Sequence, residues 1–154
     1  MITKLKELDV NQAKSLYELW NREYPVSLQF STPQAFIDYL TQLEAPTHYL
    51  LQNQRQEIIG WCFTFVRTAE VWFGLLVNQQ QQKKGFGRKL LEQAQKDHQR
   101  LNGWAVDHSL YVKEDGKPYQ SPMNFYLKQG FTKLPKNRIL KAQLRAVQIR
   151  WERE

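Results

Sequence analysis

The run Gln82-Lys83-Lys84-Gly85-Phe86-Gly87, followed by Arg88 and Lys89, sits between an apolar stretch (Val71 to Val77) and an amphipathic one. A strand, a polar turn from Asn78 to Lys84 and a helix entered through two glycines would deliver an anion to the helix start. The first backbone N–H groups of a helix lack partners inside it, and the aligned peptide dipoles place roughly half a positive charge there. Gly85 and Gly87 let a bulky pyrophosphate approach the backbone without a Cβ in the way. Lys83, Lys84, Arg88 and Lys89 supply a mobile cationic rim. A diphosphate ligand follows from these residue types.

Spacing decides which diphosphate. A dinucleotide fingerprint needs a third glycine where Leu90 stands, and a P-loop needs Gly-Lys followed by Ser or Thr, whereas Gly116-Lys117 runs into Pro118. Other chemistries fare no better. Cys62 lies between bulky apolar residues, which reads as an inert buried thiol, and His48, His98 and His108 have no metal-ligand spacing among themselves or with Cys62. What remains, Gln82 to Gly87, resembles the Q/R-x-x-G-x-G/A signature of the GNAT superfamily of N-acetyltransferases, where it wraps the pyrophosphate of coenzyme A. Two further stretches carry the likeness. Trp72 to Val77 resembles the superfamily's central strand, and Phe125-Tyr126-Leu127-Lys128-Gln129-Gly130-Phe131 resembles its Y-x-K-x-G-F segment.

The resemblance spans Ile2 to Trp151 and implies an acetyl-CoA-dependent transfer of an acetyl group to a primary amine by direct attack. It implies an α+β fold, a three-layer sandwich with a mixed, mostly antiparallel sheet flanked by about four helices in the order β-α-α-β-β-β-α-β-α-β-β. Cofactor contacts would come from Leu75, Leu76 and Val77, whose backbone would meet the thioester carbonyl and pantetheine arm, and from Gln82, Lys83, Lys84, Gly85, Phe86, Gly87 and Arg88. Tyr126 would protonate the departing sulfur. Asp107 and His108, ending a strand beside the cleft, are the first candidates for the general base, with Glu70 next and a water relay as the alternative. Many members carry Asn and Ala seven and four residues before the tyrosine; here those places hold Tyr119 and Pro122, so the usual Asn contact to pantetheine is missing. The acceptor would be a small molecule or peptide amine, held by the irregular segments Tyr24 to Pro33 and His108 to Ser121. Tyr24, Phe30 and Tyr39 are possible contacts. A non-catalytic acyl-CoA sensor on the same scaffold is the alternative reading, and a homodimer is expected from family habit.

These residues need elements to position them. Asp9 with Gln12 reads as a capping box opening a helix in which Val10, Ala13, Leu16, Tyr17 and Trp20 recur at helical spacing up to Pro25. Thr32-Pro33 opens a second, with Phe36, Ile37, Leu40 and Leu43 on one face. Ile2 to Leu8 reads as a first strand, Tyr49 to Gln52 and Ile58 to Arg67 as a hairpin, and Gly74 as a bulge or a close approach by another backbone. The helix from Gly85 carries a stripe of Leu91, Ala94, His98 and Leu101 and should end at Asn102-Gly103, before a strand from Trp104 to His108. Ser121-Pro122 reads as another helix start. The last segment fits a helix or a strand by pattern; the family's terminal hairpin points to a strand from about Leu144 to Glu152.

Length and composition agree with one domain over residues 1–154, long enough to bury roughly two thirds of its unfolded surface. Five Trp, seven Tyr and eight Phe exclude a disordered chain. No run approaches a membrane span, the N-terminus lacks an apolar signal core, and the single cysteine fits a cytoplasmic location. The net charge of +7 comes with Lys and Arg spread along the chain and no zinc-finger, RNP-like or basic-zipper pattern, so a nucleic-acid role is not expected. Such a role would predict salt-sensitive DNA or RNA binding that survives loss of Gly85 and Gly87.

Overall fold

Asp9 and Thr32 start the first two helices by satisfying N–H groups that the helices themselves leave open. In the computed structural model, which describes residues 1–154, Asp9 accepts from Gln12 N at 2.7 Å while the Gln12 side chain accepts from Asp9 N at 2.9 Å. This capping box opens α1 (Val10–Glu23). Thr32 Oγ1 accepts from Ala35 N at 3.1 Å and Pro33 occupies the first turn of α2 (Pro33–Thr41). Two further helices follow, α3 (Phe86–Asp97) and α4 (Met123–Lys128).

The strands are β1 (Ile2–Leu5), β2 (Glu44–Gln52), β3 (Ile58–Arg67), β4 (Glu70–Val77), β5 (Arg100–Ala105), β6 (Thr132–Leu140) and β7 (Arg145–Glu152). They form one sheet in the order β1-β2-β3-β4-β5-β7-β6, antiparallel throughout except at β4–β5. The element order is the one the resemblance implies, and the ambiguous C-terminal segment is a strand. Each face of the sheet is covered, giving three layers. Trp61 and Phe63, stacked at 4.3 Å, pack with Trp20, Leu16 and Phe36 under α1 and α2. Tyr49, Cys62, Phe73, Leu90, Leu91 and Ala94 form the other core beneath α3 and α4. Burying each large side chain here contributes about 1.5–3 kcal/mol, which is why the aromatic alternation of β3 fixes its register.

Two local expectations are corrected. The α3 helix stops at Asp97, and Leu101, Asn102 and Gly103 belong to β5. Leu101 does face the core, so its apolar position fits either period. The buried Asn102 is a sheet residue: its Nδ2 donates to Val71 O at 3.2 Å and its Oδ1 accepts from Gln148 and Arg150, both at 2.9 Å. Gly103 and Gly74 are required by rings rather than by caps or bulges. A Cβ at Gly103 would lie 2.6 Å from Phe73, and one at Gly74 would overlap the ring of Phe63. The β3–β4 register runs without a shift through Gly74.

The feature that opens the molecule lies between β4 and β5. They pair only at Trp72↔Asn102, so beyond that point the strands diverge and the backbone from Leu75 to Val77 has no β5 partner. Asn102 closes the base of this fork, helped by Arg150, which also reaches Glu70 at 3.3 Å.

Candidate active site

The divergence of β4 from β5 leaves a cavity of about 450 Å³. One wall is the end of β4 and the turn that follows. Leu75, Leu76, Val77, Gln82, Lys83, Gly85, Gly87 and Arg88 line it. Gln82 Nε2 donates to Val77 O at 3.0 Å, folding the turn back on the strand. Lys83 (φ 67°) and Gly85 (φ 80°) both take the left-handed conformation, which costs a non-glycine residue about 1–2 kcal/mol. Gly85 and Gly87, at the start of α3, line the cavity with Lys83 and Arg88 beside them. A Cβ at Gly87 would press on Phe125 at 3.3 Å, while the space next to Gly85 is open.

The opposite wall comes from the segment between β5 and α4 and from α4 itself. Tyr119, Gln120, Ser121, Pro122, Phe125, Tyr126 and Gln129 line it. Ser121 Oγ donates to Val106 O and accepts from Met123 N, which sets the entry of α4. Tyr126 is buried against Phe73 and Phe131. Burial pushes its phenol well above the ordinary tyrosine range, with Tyr119 and Cys62 nearby adding to the shift. Tyr119 is raised to about 12 by the same cause. These phenols are therefore protonated donors at neutral pH.

Glu23 and Tyr24, from the C-terminus of α1, complete the lining. Glu23 is almost fully buried, and both carboxylate oxygens are engaged. Oε1 meets Lys113 Nζ at 2.9 Å, and Oε2 accepts from Gln79 N at 3.0 Å and Arg22 Nε at 3.2 Å. Lys113 also donates to Gln79 Oε1 at 2.8 Å. This buried ion pair ties α1, the cofactor-side turn and the 107–122 segment together. Sequence reading missed it, because Glu23 and Lys113 are 90 positions apart and neither stands in a motif.

The structure thus brings together Leu75, Leu76, Val77, Gln82, Lys83, Gly85, Gly87, Arg88 and Tyr126 around one cavity. Lys84 and Phe86 are not in its lining. Lys84 Nζ reaches Gln81 Oε1 at 3.3 Å, and Phe86 packs on the core with Lys89 above its ring. Asp107 and His108 lie outside the lining too. Asp107 pairs with Arg138 at 3.0 Å, and that guanidinium holds its carboxyl below the usual carboxylate range. His108 Nδ1 accepts from Leu110 N at 3.1 Å, and its buried Nε2 has no partner. Glu70 is occupied by Arg150 and Arg100 at the base of the fork. Of the three aromatics named for the acceptor, Tyr24 reaches the cavity; Phe30 and Tyr39 pack on Trp20.

A family model described as an acetyltransferase (GNAT) domain matches residues 45–133, more than half of the chain. The chain belongs to this family. The GNAT domain has many structural counterparts of low sequence identity. An aminoglycoside 6'-N-acetyltransferase solved with coenzyme A shares 12% identity, with 99% of this chain and 96% of that one covered and a TM-score of 0.73. Escherichia coli ElaA shares 16% identity, with 99% of each chain covered and a TM-score of 0.68. A GNAT-family acetyltransferase from Staphylococcus aureus shares 14%, again with 99% of each chain covered, at a TM-score of 0.67. No curated protein sequence matches the chain. At these identities the structures establish the fold, and the family match establishes the acetyltransferase class.

Proposed function

We propose that residues 1–154 act as one N-acetyltransferase domain that moves an acetyl group from acetyl-CoA to a primary amine by direct attack. The observation carrying this reading is the cavity itself: a strand edge with free backbone groups, the glycine-opened start of α3 and a buried phenol converge on one space. The pyrophosphate would lie on the N–H groups at the start of α3, with Lys83 and Arg88 as counter-charges. Pantetheine would run along Leu75 to Val77 and take the backbone bonds that β5 leaves open.

In the transfer, the amine nitrogen attacks the thioester carbonyl carbon, the new N–C bond forms and the C–S bond breaks. A backbone N–H near Leu76 stabilises the developing oxyanion, and Tyr126 gives its proton to the sulfur. The apolar surroundings that raise the phenol also disfavour a bare thiolate, so the transfer between them is not opposed. The amine's proton leaves through water, since Asp107 and Glu70 are held in ion pairs, Glu23 is held by Lys113, and His108 does not line the cavity. A cytoplasmic setting fits the single cysteine, and no helix is long and apolar enough to cross a membrane.

Calorimetric titration with acetyl-CoA and with free coenzyme A tests the reading, alongside a Gly85→Val/Gly87→Val protein. Binding by the native chain that the double variant loses is the expected result. A folded native chain that binds neither compound overturns it. An acyl-CoA sensor would bind both compounds yet release no thiol with any amine offered.

A further inference from the structure

The charge of this chain is divided unevenly. Cations occur throughout, but between Gly116 and Trp151 there are eight Lys and Arg and no Asp or Glu. The structure puts this stretch into α4 and the β6–β7 hairpin at one edge of the sheet. Arg138 and Arg150 are paired with acids, whereas Lys133, Lys136, Lys141 and Arg145 are exposed with no ion-pair partner.

Beside these cations lies exposed apolar surface. Leu110 is 76% exposed, Leu140 74%, Val112 49% and Val26 43%. Hydrogen bonds hold them near one another and near the cavity. Val26 N donates to Val112 O at 2.9 Å, Tyr111 Oη accepts from Arg145 N at 2.7 Å, and Leu140 pairs with Arg145 across the hairpin. Lys113, the next residue, grips Glu23 in the cavity wall. An apolar centre with Lys136, Lys141 and Arg145 on its β6–β7 side, and the exposed Glu114 and Asp115 beyond Val112, therefore borders the Glu23–Lys113 side of the cavity, which has the anatomy of a protein–protein contact. Within the cavity the one carboxylate, Glu23, is already neutralised by Lys113, and Glu114 and Asp115 stand in an adjoining hollow together with Arg22 and Lys117.

We infer that the acceptor amine is presented by a polypeptide segment carrying both acidic and apolar side chains, which docks on Val26, Leu110, Val112 and Leu140 within the rim of Lys136, Lys141 and Arg145. This rests on the acetyltransferase reading and specifies its acceptor class. The segment lies across this surface and does not extend the sheet, since Lys133, Pro135, Lys136 and the register shift between Leu134 and Arg138 make β6 a poor edge for strand addition. A second copy of this chain would set like charges against each other. Single-stranded nucleic acid would want aromatic stacking platforms, and no aromatic side chain of the protein is exposed.

The test is fluorescence anisotropy of the coenzyme A-loaded protein with two labelled peptides of equal length and free amino termini, one of Glu, Asp and Leu, the other of Gln, Asn and Leu. The acidic peptide should bind at least ~10-fold more tightly at low salt, with the preference shrinking as ionic strength rises. Lys136→Glu/Lys141→Glu/Arg145→Glu should abolish the preference, and Leu110→Asp/Leu140→Asp should weaken both peptides. Lys14→Glu/Arg55→Glu, on exposed positions elsewhere, should change nothing. Equal binding of the two peptides, an unaffected triple variant, or duplex RNA that displaces the acidic peptide and binds more tightly than it would each overturn the inference. Calorimetry with coenzyme A on the same preparations separates these outcomes from failure of the acetyltransferase reading, which would show as lost cofactor binding in the native chain.

Discussion

The two walls of the cavity are held in different ways. The cofactor-side wall is local: β4, a turn of a few residues and the start of α3 follow each other in the chain, and their geometry is set by glycines and left-handed backbone. The other wall is assembled from a long segment with little regular structure, whose shape depends on contacts with remote parts of the chain. Lys113 to Glu23, Arg138 to Asp107 and Arg145 to Tyr111 each join residues at least 31 positions apart. A wall encoded locally should fail locally. One encoded by distant pairs should fail as a unit.

The sharpest way to separate the walls is at Tyr126, which faces the cavity from α4. Tyr126→Phe is expected to lower kcat by about 10²-fold or more while leaving acetyl-CoA affinity within twofold to threefold, measured by thiol release and calorimetry. Equal losses in both would make Tyr126 a packing residue. Next is Lys113→Met, which leaves the buried Glu23 carboxylate with only Gln79 N–H and Arg22. Denaturant unfolding should show a loss of about 3 kcal/mol, and hydrogen exchange should rise at Tyr119 and at Gln79 together, since one cluster holds both segments.

A smaller effect, confined to the first wall, is expected from Gly85→Val. Left-handed backbone disfavours a side chain by roughly 1–2 kcal/mol, so coenzyme A affinity should fall about tenfold with exchange in the 107–122 segment unchanged. The smallest is Asp107→Asn. Because Arg138 and Asp107 are partly exposed, the pair should contribute under ~1 kcal/mol, and activity should stay within about threefold. A loss above ~100-fold would make Asp107 the general base. The pair also sets a pH dependence. The Asp107 carboxyl is held below its unfolded value, so its contribution is complete above about pH 4 and is lost as pH falls through the lowered native value. Exchange at the start of the loop should rise over that acidic range in the native protein and show no such transition in Asp107→Asn.

The same contrast explains what could be read from the amino acids. Capping at Asp9 and Thr32, alternation along Trp61, Phe63 and Phe65, and the Gln82 to Gly87 turn are short-range patterns, each recorded within a few positions. Leu101 misled because an apolar position three or four residues beyond a helical stripe fits a helix as well as the strand that β5 forms. Asn102-Gly103 looked like a helix end because Asn and Gly favour such ends; here Asn102 has a carbonyl and two side chains from other strands to satisfy, and Gly103 leaves room for Phe73. Asp107 and His108 have suitable chemistry for a base, but only the folded chain shows that Arg138 occupies one and that neither lines the cavity.

The sequence by itself determined the starts of the first two helices, the aromatic alternation of β3 and the glycine-opened turn, because helix caps, side-chain periodicity and glycine conformation act over a few residues, whereas the order of elements and the final strand came from the family resemblance. Tertiary structure alone decided where β4 leaves β5, how Glu23 and Lys113 meet beside the cavity, and which exposed apolar residues gather beside a carboxylate-free stretch of chain. Those depend on groups that meet only after the sheet has formed, and the free energy of a buried ion pair or a strand fork is a property of that meeting and not of either segment.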